Sequence, residues 1–181
     1  EFLTQPRHRA VIYGESGAGK TTLAIAVAYE LLSTYPQQVL MQASSQATLR
    51  TEMAGFARDH VKGLPADIEE EDLVQAALAF FSQAPGWLLV IDDVTDPYSI
   101  LELVPATCHV LLTTQRRRTW PEAAQINSHH EAGMLTVEDA MELLAAQRSD
   151  NPLPGGDDHH LITLGLLGGE ARPPRSWALL L

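Results

Sequence analysis

The chain has 181 residues, 45% of them hydrophobic, enough to bury a core without a cofactor. A formal net charge of −11 argues against nucleic acid as the main partner of this segment. A single cysteine, Cys108, excludes an internal disulfide and fits a reducing compartment, and no apolar run approaches the ~20 residues of a membrane span.

The chain begins Glu1-Phe2-Leu3, without Met or a basic-then-apolar leader, so it reads as a piece of a longer cytoplasmic protein. Residues 1–8 read as a linker. Arg9-Ala10-Val11-Ile12-Tyr13 is a short apolar run suited to a strand. From Thr22 to Leu32 the chain reads as a helix that is apolar nearly all round; Pro36 stops it near Ser33-Thr34. Gln38 to Gln42 is a second strand. Ser44-Ser45 caps a helix running to about His60, with Leu49, Met53 and Phe56 at helical spacing.

Gly63 and Pro65 mark a loop. Asp67 is then expected to cap a helix whose first turn is acidic, Glu69-Glu70-Glu71-Asp72, and which ends before Pro85-Gly86. Trp87 to Ile91 is a strand buried on both faces, running into Asp92-Asp93. A short helix is expected from Pro97 to Val104. Cys108 to Thr114 is another buried strand, and Gln125 to Glu131 a fifth, at the edge. Leu135 to Leu144 opens a helix with Thr136 as N-cap. Asn151 to Gly156 is a break, so residues 1–150 are expected to form one domain and 151–181 the start of a small helical subdomain. The adjacent pairs His129-His130 and His159-His160 lack ligand spacing and read as surface residues.

The segment Gly14-Glu15-Ser16-Gly17-Ala18-Gly19-Lys20-Thr21-Thr22 fits G-x-x-x-x-G-K-[ST], a phosphate-binding loop between a strand and a helix. Gly14, Gly17 and Gly19 let the chain curl so that successive N–H groups face an anion. Ser16, Ala18 and Thr22 belong to the same cradle. Lys20 supplies positive charge to the outer phosphates, and the Thr21 hydroxyl suits Mg²⁺. Lys20 and Lys62 are the only lysines in the chain.

At the end of the Trp87 strand, Asp92 is placed to hold Mg²⁺ directly or through water, and Asp93 to orient or deprotonate the attacking water. The polar tip of the next strand, Thr113-Thr114 with Gln115-Arg116, either senses the terminal phosphate, through Thr114 and Arg116, or is a plain solvated turn.

With these motifs in this order, residues 9–145 resemble the NB-ARC domain of STAND regulatory ATPases, a family that includes many bacterial regulators. Gly14 to Ala24, Val39 to Ser45, Trp87 to Val94, Val110 to Thr114 and Leu135 to Ala140 carry the resemblance. It implies an α/β fold, a three-layer αβα P-loop NTPase with a five-stranded parallel sheet ordered 5-1-4-3-2. It also implies ATP or ADP with Mg²⁺ as cofactors, flanking effector and sensor domains, and a nucleotide-driven homo-oligomer. Two departures stand out. Gln115 occupies the position where the family usually has Arg, and the tail from Glu170 lacks the family's Gly-Leu-Pro-Leu segment. The functional expectation is an ATP/ADP-operated switch with slow hydrolysis in signal transduction. The alternatives are another P-loop enzyme, such as an AAA+ motor or a kinase, and a degenerate scaffold that does not hydrolyse.

Overall fold

The computed structural model describes residues 8–133, apart from 85, 116 and 118. The helix expected from Leu135, the break near 151 with the subdomain beyond it, and Arg116 lie outside the described residues.

Five strands form one sheet: β1 (Arg9–Tyr13), β2 (Gln37–Gln42), β3 (Trp87–Asp92), β4 (His109–Thr114) and β5 (Ser128–Glu131). The order across the sheet is β2-β3-β4-β1-β5, and every pair is parallel, as the resemblance implied. Every residue of β3 and β4 is buried. Such strands carry near-continuous apolar sequence because helices cover both of their faces.

Alternation along the strands feeds two cores. Ala10, Ile12, Leu88, Val90 and Leu111 face one helix, α1 (Lys20–Glu30), through Ala24 and Ala28. Val11, Val39, Met41, Leu89, Ile91, Val110 and Leu112 face the other way. They pack on α2 (Gln46–His60) and α3 (Glu70–Gln83), with Phe56, Phe81 and Trp87 in mutual aromatic contact. The three layers follow from this two-sided burial.

The helix ends show where local chemistry decided. The Ser45 hydroxyl caps α2, accepting from the Thr48 N–H at 3.0 Å, a contact worth about 1 kcal/mol. Asp67 does not cap α3. The N-cap is Glu69, without a side-chain bond, and the helix starts with Glu70, Glu71 and Asp72 in its first turn. Acids at that end suit the helix dipole without any cap. Arg50 of α2 pairs with Glu71, which ties the start of α3 to α2 and lowers the Glu71 pKa through hydrogen bonds from Arg50 and Gln75. The helix expected from Pro97 to Val104 is reduced to one 3₁₀ turn at Leu101–Leu103, whose apolar side chain Leu103 is buried.

Candidate nucleotide site

The carboxyl ends of the parallel strands gather at one edge of the sheet, where open α/β sheets bind ligands. β1 exits there into the glycine loop. Gly17 and Gly19 have φ of 82° and 79°, and a Cβ at either would meet nothing within 4 Å. Their constraint is therefore conformational, and the space above the loop is open. Gly14 is different. A Cβ there would lie 2.8 Å from the carbonyl oxygen of Ala132, just after β5, and Gly14 N–H donates to the Thr114 carbonyl at 3.3 Å.

Gly19 is the N-cap of α1 and no side chain caps this helix. Its first-turn N–H groups and positive dipole end face the loop, an arrangement suited to an anion. The Lys20 ammonium turns back to the loop, donating to the Glu15 carbonyl at 2.8 Å, and the residue as a whole is buried. A cation inside a loop of N–H donors is what a polyphosphate requires. Ser16 and Thr22 are exposed, and Ala18 is half-buried.

The acids lie beside the loop. Thr21 Oγ1 is 2.9 Å from both oxygens of Asp92. Asp92, 5% exposed, also accepts from Gln42 Nε2 at 3.2 Å and Thr113 Oγ1 at 2.5 Å. Asp93, half-buried, has φ 58°. A non-glycine residue held there stores roughly 1–3 kcal/mol of backbone strain. Its N–H donates to Thr113 Oγ1 at 2.8 Å, and its carboxylate is 3.5 Å from Gln115 Nε2. The Thr114 hydroxyl, 1% exposed, donates to the Val94 carbonyl at 2.7 Å.

Lys20, Thr21, Asp92, Asp93 and the glycine loop are therefore assembled at one end of the sheet. Sequence reasoning named Thr113 only as part of a polar strand tip and gave Gln42 no site role; Thr113 holds both acids and Gln42 holds Asp92. Their signal is positional: each directly follows the apolar run of a strand that pairs with β3, Val39–Met41 in β2 and Val110–Leu112 in β4. Oxygen donors from Thr21 and Asp92 suit a hard cation such as Mg²⁺, which is commonly held by one or two carboxylates together with phosphate oxygens. Among the described residues no group of three His, Cys, Asp or Glu could hold a metal alone. A cavity of about 670 Å³ is lined by Arg117, Trp120, Gln125 and His129 among others, and shares no residue with the loop or the acids.

A model of the NB-ARC domain matches residues 3–153. No curated protein matches the chain. Among solved structures, ORC1 of Aeropyrum pernix, determined in complex with DNA, is similar at 16% identity and a TM-score of 0.59. The match covers 80% of this chain and 45% of that one. Cdc6p of Pyrobaculum aerophilum is similar at 14% identity and TM-score 0.55, covering 80% and 44%. Aeropyrum pernix ORC2, determined as ADPNP–ADP complexes, gives 14% and 0.55, covering 78% and 46%. The chain thus spans less than half the length of each of these structures. At such identities the likeness is one of fold: a P-loop NTPase sheet with its helices.

Proposed function

This chain belongs to the NB-ARC domain family, and from that premise we propose that it is the nucleotide-operated segment of a larger signalling switch. ATP·Mg²⁺ and ADP favour different arrangements of the domain and its flanking effector and sensor domains, and so control conformation and homo-oligomeric assembly. A STAND-type regulator in a bacterial cytoplasm is the setting that fits this reading. It is consistent with the described residues having no helix long and apolar enough to cross a membrane.

The observation that carries the reading is the contact of Thr21 with both Asp92 oxygens at 2.9 Å beside an uncapped helix start and Lys20. The backbone N–H groups from Ser16 to Thr22 bind the phosphates. Lys20 leaves the Glu15 carbonyl to neutralise the outer phosphates. Thr21 and Asp92 would hold Mg²⁺, which would supply neutralisation of the phosphate charge. Asp93 orients the attacking water and accepts its proton. Gln115 already reaches Asp93 and stands at the position of the expected γ-phosphate sensor. Thr114 joins it only by giving up the Val94 carbonyl. Gln115→Arg is therefore expected to strengthen the preference for ATP over ADP, read as a ratio of dissociation constants.

A switch needs a long-lived ATP state. The purified domain is expected to hydrolyse ATP more slowly than ~1 per second, the lower end of kinase turnover. Faster turnover identifies a working P-loop enzyme instead. Failure to bind any nucleotide favours a degenerate scaffold instead.

A further inference from the structure

The Thr113 hydroxyl stands between the two acids. It donates to Asp92 Oδ1 at 2.5 Å and accepts the Asp93 N–H at 2.8 Å. One side chain of β4 therefore fixes both the carboxylate rotamer of Asp92 and the left-handed backbone of Asp93, φ 58°. From the other flank of β3, Gln42 Nε2 reaches Asp92 Oδ2 at 3.2 Å. The two residues hold opposite oxygens of one carboxylate. Backbone bonds stitch the same three strand ends together: Ala43 N–H to the Asp92 carbonyl and Val94 N–H to the Thr113 carbonyl, each at 2.8 Å.

We propose that Thr113 and Gln42 are positioning residues that aim Asp92 at the divalent cation of the bound nucleotide, with Thr113 also holding Asp93 in register. This rests on the nucleotide-site reading above. The physical case is one of preorganisation. A carboxylate with free rotation spends entropy each time it takes up a metal, whereas one gripped at both oxygens does not. Partners behind a metal ligand also keep its lone pairs aimed at the ion, and removing them typically costs 10–100-fold in metal affinity. Thr113 is 1% exposed, so its hydroxyl acts from behind Asp92 and does not itself reach solvent ligands.

The test is calorimetric titration of ADP into the domain, first in EDTA and then at a series of Mg²⁺ concentrations. Wild type, Thr113→Val, Thr113→Ser, Gln42→Leu and Lys20→Ala are compared. Wild-type binding that disappears in Lys20→Ala establishes the nucleotide site. Thr113→Val and Gln42→Leu are then expected to keep the ADP affinity measured in EDTA. The Mg²⁺ concentration that half-saturates the tightening should rise by about tenfold or more. Thr113→Ser keeps the hydroxyl and should return the midpoint toward wild type. An unchanged midpoint in both Thr113→Val and Gln42→Leu overturns the proposal, as does an equal loss of affinity in EDTA. If Thr113→Val fails to fold, Gln42→Leu at the strand end carries the same comparison. No ADP binding by wild type overturns the site reading itself, and the positioning role with it.

Discussion

The two ends of the sheet both carry polar clusters, and they are built on opposite terms. At the carboxyl end, a cation and two carboxylates stand around a glycine loop with open space above it. At the amino end, the polar groups are closed on one another. Arg9, 5% exposed, donates to the carbonyls of Ala124 at 2.6 Å and Pro105 at 3.0 Å. The backbone N–H of His8 donates to His109 Nδ1 at 3.2 Å, and its ring lies 3.1 Å from Ser128 Oγ. The Tyr35 hydroxyl is 3.3 Å from the same His109 nitrogen. A buried charge whose donors are satisfied by carbonyls ties chain segments together, here β1 to the loops before β4 and β5. Polar groups make a ligand site where geometry leaves them facing space.

The comparison predicts that mutations at the two ends separate binding from stability. The largest effect is expected from Lys20→Ala, which should abolish nucleotide binding by calorimetry while the melting temperature without ligand changes little. Asp93→Asn should bind nucleotide as wild type does and lose most of the hydrolysis rate in a phosphate-release assay; equal turnover removes Asp93 from catalysis.

At the other end, Arg9→Leu leaves two carbonyls without their donors, at about 1–3 kcal/mol for each buried group. Melting should fall by about 2–4 °C per kcal/mol, with unchanged nucleotide affinity per folded molecule. A loss of affinity in Arg9→Leu would break the division between the two ends.

The smallest effect is that of pH. Burial lowers the pKa of His8, His109 and His130, and neighbouring imidazoles add to the shift at His109 and His130. His109 Nδ1 accepts a backbone N–H and so must be unprotonated. A base whose folded pKa lies below its unfolded value of 6.5 contributes its full stability above that value and loses it as pH falls below. The denaturation midpoint should therefore decline as pH is lowered from about 7.5 to 5.5, the range over which unfolded His titrates. His109→Gln should flatten the decline.

Much of this was legible in the sequence because the signals are local. The glycine spacing, the apolar run ending in two acids and the cap at Ser45 each lie within a few residues, and the family resemblance supplied the strand order. What was not legible depends on register. On a strand buried on both faces, Thr113 and Thr114 look equivalent as tips. The pairing of Ile91 with Leu112 brings the next pair, Asp92 and Thr113, side by side, and leaves Thr114 to the Val94 carbonyl. Gln42 reaches Asp92 because β2 and β3 pair in register, Gln42 opposite Asp92. The amino-end cluster of His8, Tyr35 and His109 joins residues far apart in sequence, so no local pattern announces it. Asp67 has the residue type of a cap, yet the helix starts later, with Glu69 as N-cap and the acids Glu70, Glu71 and Asp72 in its first turn.

The central claim is that the carboxyl end of the sheet is a working nucleotide site. Thermal melting with ADP·Mg²⁺, ATP·Mg²⁺ and no nucleotide tests it most directly. A ligand at ~100 times its dissociation constant stabilises by roughly 2.7 kcal/mol. At about 2–4 °C per kcal/mol for a domain of this size, a rise of several degrees is expected, and it should vanish in Lys20→Ala. No rise with either nucleotide, or the same rise in Lys20→Ala, would contradict the account.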